Sequence, residues 1–199
     1  MNMLVDALPT YVFIDNKKYE INHSFRTSIL FEIMMNDSEI DNEDKIHKAL
    51  ELYYPIIPND FDKAIDKMLW FYRCGKEIKE SKGIGTSNSN KNNIYSYEFD
   101  DEYIYAAFLD QYNIDLQDIE NLHWWKFKAL FNSLKSDSKM VEIMGYRAIA
   151  INSDMTKEQK NFYNKMKKEY EIPTSKDEKE KINAIEEALL NGGDLTNLL

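Results

Sequence analysis

Cysteine is all but missing from the chain. Cys74 is the only one in 199 residues, which excludes an internal disulfide and any metal site built from a cysteine cluster. Glycine (6) and proline (4) are scarce, and that argues against a turn-rich β fold. No run approaches the roughly 18 to 20 apolar residues that span a bilayer, and the opening MNMLVDALPTYVFIDNKKYE has no basic region leading into an apolar one. The protein is therefore expected to be soluble and intracellular.

Catalytic patterns are missing as well. The chain has no G-x-x-x-x-G-K-[ST] or G-x-G-x-x-G phosphate loop, no H-E-x-x-H and no G-x-S-x-G. His23, His47 and His123 have no i, i+4 spacing that would assemble a metal site. Cys74, placed by the pattern in mid-helix, lacks a neighbouring base and is expected to be an inert thiol. Adjacent carboxylates such as Asp100 and Asp101 read as helix first-turn charge and solvated surface. The expectation is a protein without cofactor, metal or enzymatic activity. The net charge of −10, from 35 acidic and 25 basic side chains, repels phosphate backbones and anionic lipids, so neither nucleic acid nor membrane is an expected partner.

What the chain does have is apolar and aromatic residues at helical spacing. Hydrophobic residues are 43% and aromatics 13% of the composition. Residues 10–21, TYVFIDNKKYEI, place β-branched and aromatic residues on both sides of a polar run and predict a short hairpin. Helices follow. Asn22 to Ser24 cap one carrying Phe25, Ile29, Leu30, Ile33 and Met34; the next has Ile46, Ala49, Leu50 and Tyr53 on one stripe and stops at Pro55 and Pro58. A third begins at Asn59 or Asp60, with Phe61, Ala64, Ile65, Met68, Leu69 and Tyr72 on one face.

Residues 81–96, SKGIGTSNSNKNNIYS, are a polar Gly/Ser/Asn stretch that reads as a flexible loop. Beyond it, the helix from Phe99 to Tyr112 has apolar groups on nearly every side and is expected inside a bundle. Further helices are expected after caps at Asp115, at Ser136 or Asp137, and at Thr156, with a last one from Pro173 to about Asn191. The fold class is mostly α, a multi-helix bundle with a short N-terminal β-hairpin. It is organised as one domain over residues 1–192, followed by a disordered tail at 193–199.

The densest stretch is NLHWWKFKALFNSL, residues 121–134. At about 100° per residue, Trp124, Phe127, Leu130, Phe131 and Leu134 share one arc, with Leu122, Trp125 and Ala129 roughly opposite. The stretch reads as core, His123 as a hydrogen-bonded structural histidine, and Lys126 and Lys128 as solvated edges. Trp70 is the outlier. It projects away from Phe61, onto the side of Lys63, Lys67 and Cys74. Either it is an exposed interface anchor, or the connection after its helix, or the C-terminal helices, fold over it. Gly75 marks the end of that helix or a kink in it.

MLWFYRCGKE (68–77), YIYAAFLDQYNIDL (103–116), LHWWKFKALFNSL (122–134), IMGYRAI (143–149) and the opening LVDALPTYVFIDNKKYEINHSFRTSI resemble the gene-product-fifteen family of tailed bacteriophages, over about residues 3 to 192. The resemblance implies a tail-assembly chaperone. Such a protein coats and solubilises the tape-measure protein, helps recruit subunits of the major tail (tube) protein, can self-associate, acts in the cytoplasm of the infected host and leaves before the virion is complete. It carries over no catalytic residues. Trp70, Phe71, Arg73, Trp124 and Trp125 are the expected partner-binding residues. Two other readings are a structural component of the tail or its connector, and an enzyme with an unrecognised small-molecule pocket.

Overall fold

A computed structural model describes residues 1–76 and 94–173. Most of the polar stretch expected at 81–96, the expected helix from Pro173 to Asn191 and the tail at 193–199 lie outside the described residues. Among the described residues there are two strands and seven helices, the helix-rich class with an N-terminal hairpin that the pattern predicts.

Strands β1 (Tyr11–Ile14) and β2 (Lys17–Glu20) pair antiparallel across a two-residue turn. Both turn residues, Asp15 (φ 49°) and Asn16 (φ 62°), are left-handed, the backbone that a tight hairpin requires and that Asp and Asn tolerate. Alternation then sorts the strand. Val12 and Ile14 face the core, while Tyr11 and Phe13 face out.

Helix α1 (Phe25–Asn36) starts at Ser24, whose hydroxyl accepts from the Arg26 N–H. Helix α2 (Asn42–Tyr53) starts at Asp41, whose carboxylate accepts from the Glu43 and Asp44 N–H groups. Its buried stripe is Lys45, Ala49, Leu50 and Tyr53, and Ile46 is exposed. The stripe matches the apolar pattern at Ala49, Leu50 and Tyr53 and differs only at its first position, where Lys45 is buried in place of Ile46. The cause is the end of α1: the Lys45 stem lies on apolar surface and its ammonium donates to the Met35 carbonyl at 3.0 Å, which α1 leaves without a helical partner.

Helix α3 (Phe61–Tyr72) buries Ala64, Met68 and Phe71 and leaves Phe61 exposed. Its end is sharp. Cys74 (φ 57°) and Gly75 (φ 72°) are both left-handed, so Cys74 lies past the helix and not within it, and burial pushes its thiol pKa up.

Helix α4 (Asp101–Tyr112) buries only Ile104, Ala107 and Phe108; Phe99 and Leu109 are exposed, so it lies at the side of the assembly and not inside it. Helix α5 (Trp124–Phe131) is shorter than its apolar arc, ending before Leu134. Helix α6 (Lys139–Ala148) is capped by Ser138, one or two residues later than expected, and α7 (Lys157–Glu169) by a reciprocal Thr156–Gln159 capping box. No residue of α7 is buried. The hairpin, α1, α2 and α3 pack together, α4, α6 and α7 pack together, and α5 touches both α1 and α4.

The second group is held by a buried ion pair. Arg147 of α6 donates from Nη1 and Nη2 to the two Asp100 carboxylate oxygens at 2.6 and 2.9 Å, from Nε to the Tyr170 carbonyl at 2.6 Å and from Nη1 to the Ile94 carbonyl at 3.2 Å. The Asp100 side chain is 1% exposed. Asp100 is therefore not solvated first-turn charge, as adjacency to Asp101 suggests, but the internal partner of a distant arginine. Removing one member of such a pair strands the other charge in the core, at a cost of about 3–5 kcal/mol. Arg147→Ala is expected to destabilise by that amount, and Asp100→Asn combined with Arg147→Met to recover part of it. Urea denaturation reads both, and a loss below about 1 kcal/mol for the single variant would contradict a locked pair.

Candidate partner-binding surface

The site is built on the junction between α3 and α5. A helix leaves its last carbonyls without intrahelical partners; here two consecutive tryptophans bond two of them, and the Phe71 carbonyl also accepts from the Cys74 N–H at 2.9 Å. The Trp124 Nε1–H donates to the Tyr72 carbonyl and the Trp125 Nε1–H to the Phe71 carbonyl, each at 2.8 Å. The rings then stack into the core. Trp124 lies 5.6 Å from Tyr72 and 5.7 Å from Phe127, whose ring is 5.1 Å from Phe25 and 4.9 Å from Phe108.

The α5 end of the junction is fixed by His123, which takes the capping position expected of Asp115. Its Nδ1 accepts from the Trp125 N–H at 3.1 Å, which leaves the proton on Nε2 to donate to the Pro9 carbonyl at 3.0 Å. The expectation of a hydrogen-bonded structural histidine is met. Asp115 instead organises the preceding turn, accepting from the Gln117 and Asp118 N–H groups, and the Arg26 guanidinium pins that turn through the Leu116, Gln117 and Ile119 carbonyls.

Lys128 departs from expectation. It is half-buried, with Nζ 5.2 Å from the Trp124 ring centre, 5.5 Å from Tyr95 and 5.9 Å from Tyr97 and Phe131, and it donates to the Tyr95 hydroxyl at 3.2 Å. Aromatic faces replace the solvation that a lysine edge normally keeps. Lys126 is exposed, as expected.

All five residues expected to meet a partner converge at this junction, but they offer different things. Phe71, Trp124 and Trp125 are 0%, 0% and 1% exposed, so their contacts are spent inside the protein. Trp70 and Arg73 are half-buried and keep open surface. Trp70 is covered on one side by an element not expected there, since its ring packs edge-on against Trp125 of α5 at 5.6 Å. Arg73 follows Trp70 by three residues, which puts both on one side of the chain. The Arg73 Nε is itself buried, with no hydrogen-bond partner among the described residues, so the open surface of Arg73 lies elsewhere on its side chain.

Among the described residues, no group of His, Cys, Asp and Glu could hold a metal ion, and no helix is long and apolar enough to cross a membrane. The junction and its surroundings thus define a class: a helical protein whose aromatic residues lock two helix groups together and reach the surface at one corner. The family model described as Bacteriophage Gp15 protein matches residues 4–172. The chain belongs to that family. No curated protein and no solved structure matches it.

Two outcomes follow from this geometry. A Cβ added at Gly75 would lie 2.8 Å from Trp125 Cη2, at a φ of +72°, so Gly75→Ala meets both backbone strain and the locked indole. It is expected to cost about 1–3 kcal/mol, measured as a shift of the urea midpoint at constant slope. The second concerns pH. Burial holds the His123 pKa below the ordinary imidazole value, so between that value and about 6.5 the unfolded chain binds the proton that the folded one refuses. Stability then rises with pH and is lost as pH falls through about 6.5. The urea midpoint should drop between pH 7 and 5.5, and His123→Asn, which can still cap α5, should flatten that slope.

Proposed function

We propose that this phage protein is a non-enzymatic tail-assembly chaperone. It binds and solubilises the tape-measure protein, helps recruit tail-tube subunits in the host cytoplasm and departs before the virion is complete. The observation that carries the reading is the Trp70–Arg73 corner, where an indole and a guanidinium three residues apart are both only half-buried. A long apolar helix finds there what a helix surface needs from a chaperone, a ring for its apolar ridge and a cation for its exposed carbonyls or carboxylates. Exposed Leu30 and Met35 on α1 and Ile46 on α2 extend the apolar surface elsewhere. The excess of acidic residues keeps a crowded assembly soluble.

Co-expression with the tape-measure protein of the same phage tests this, read by affinity capture and light scattering. Several copies should co-purify with a tape measure that is insoluble alone. Trp70→Ala should retain helical circular dichroism and cooperative unfolding yet weaken capture about thirtyfold, the size of a hot-spot loss near 2 kcal/mol. Normal capture by a folded Trp70→Ala protein would remove the corner from the interface. Recovery of the wild-type protein in purified virions at fixed copy number would replace the chaperone with a structural tail component.

A further inference from the structure

The hairpin offers a second interaction surface, one that the tape-measure reading does not require. The pairing of β1 with β2 alternates between pairs that exchange backbone hydrogen bonds and pairs that do not. The two-residue turn makes Ile14↔Lys17 a bonded pair, and the Ile21 N–H donating to the Thr10 carbonyl at 3.0 Å continues the series two steps beyond Val12↔Tyr19. Lys18 and Glu20 therefore point their backbone N–H and C=O groups away from β1. Neither residue has a hydrogen-bond partner for them among the described residues. The opposite edge is different, because β1 packs against α3, and Lys63 of α3 reaches across to Asp15 at 2.6 Å.

We propose that the open edge of β2 pairs with β2 of a second copy, about a twofold axis at Tyr19, to make a four-stranded antiparallel sheet. The register selects itself. Only outward-pointing residues can exchange hydrogen bonds across the new seam, and setting Lys18 opposite Glu20 of the second copy sets Glu20 opposite its Lys18. Both pairs unite opposite charges. The two tyrosines at position 19 meet at the axis as the close, non-bonded pair. On the outward face the row reads Phe13, Lys18, then Glu20 and Tyr11 of the second copy, an alternation of aromatic and charged groups that the twofold repeats. Lys18 is already held in place, with its ammonium 4.0 Å from the Tyr11 ring centre.

An open groove of about 550 Å³ runs beside the base of β2, lined among others by Lys18, Glu20, Asn22, His23, Thr27 and Asn121. Beyond Glu20 the edge is already taken, because the Asn22 N–H donates to the Tyr53 carbonyl at 2.8 Å and the Asn22 Nδ2 to the Leu52 carbonyl at 2.6 Å, so the seam is confined to Lys18, Tyr19 and Glu20. Pairing would give each β2 edge the backbone partners that it lacks at Lys18 and Glu20. The seam is short and each chain carries a net charge of −10, so the dimer is weak and appears only as concentration rises.

Charge exchange tests the register. Sedimentation of the full chain over a concentration series should show a monomer–dimer equilibrium. Lys18→Glu and Glu20→Lys should each weaken dimerisation about tenfold or more, since each sets like charges opposite one another twice. Mixing these two variants should restore a dimer, because one chain then carries only acidic and the other only basic groups at the paired positions; the double exchange in one chain should restore it too. Both side chains are exposed, and unchanged thermal unfolding of the variants confirms that folding is not what is measured. Hydrogen exchange at the Lys18 and Glu20 amides should slow in the dimer. A wild type that stays monomeric to millimolar concentration, single variants that dimerise normally, or a mixture that fails to recover would each overturn the proposal.

Discussion

Two indole N–H groups on the last carbonyls of one helix hold this protein together. A helix end buried without partners is costly, since each unsatisfied carbonyl forfeits a desolvation penalty of about 1–3 kcal/mol. By bonding the Phe71 and Tyr72 carbonyls, Trp124 and Trp125 allow α3 to end inside the core. Three further features depend on that burial. The chain must leave α3 at once, so Cys74 and Gly75 adopt left-handed backbone. The residue beside the Trp125 ring must lack a Cβ, so position 75 is glycine. And α5 must be held at a fixed angle, so His123 caps it and anchors it to Pro9.

The same requirement explains which parts of the fold could be read from the order of residues. The hairpin, the starts of α1, α3 and α7 and the existence of α2 depend on local signals: alternation, capping side chains and helical spacing. These were legible. Only the first position of the α2 stripe differs, Lys45 taking the place of Ile46, because the end of α1 beside it offers the lysine ammonium a carbonyl. The cap of α5 was misplaced because histidine is an uncommon capping residue and its choice depends on Pro9, far away in the chain. In both cases a tertiary partner decides between locally similar options.

Charged groups were the least legible. Asp100 next to Asp101 looks like solvent-facing charge, and nothing near it points to Arg147. Lys128 between aromatics looks like a wet edge, yet the tyrosines that surround it arrive from residues 95 and 97. Burial of an ion depends on what surrounds it in space, and a sequence shows only what surrounds it along the chain. The five residues expected at a partner surface illustrate the same point. The aromatic residues singled out do come together at one junction, because large rings gather where helices meet. It could not divide that junction into an inside and an outside, which depends on the length of α5 and its approach to α3.

That division bears on how such a protein could serve as a reusable partner. Phe71, Trp124 and Trp125 are tied to backbone or to each other, so exposing them would break the lock between the two helix groups. Binding that needed them would therefore require partial unfolding and would compete with stability directly. Surface at Trp70, Arg73 and the outer face of the hairpin carries no such penalty, because using it leaves every bond of the junction in place. A protein that must bind and later release a partner is better served by that second kind of surface, where affinity can be modest and tuned by single side chains. The concentration of the aromatic mass at the junction thus leaves only the edges of the fold open to any partner without loss of packing.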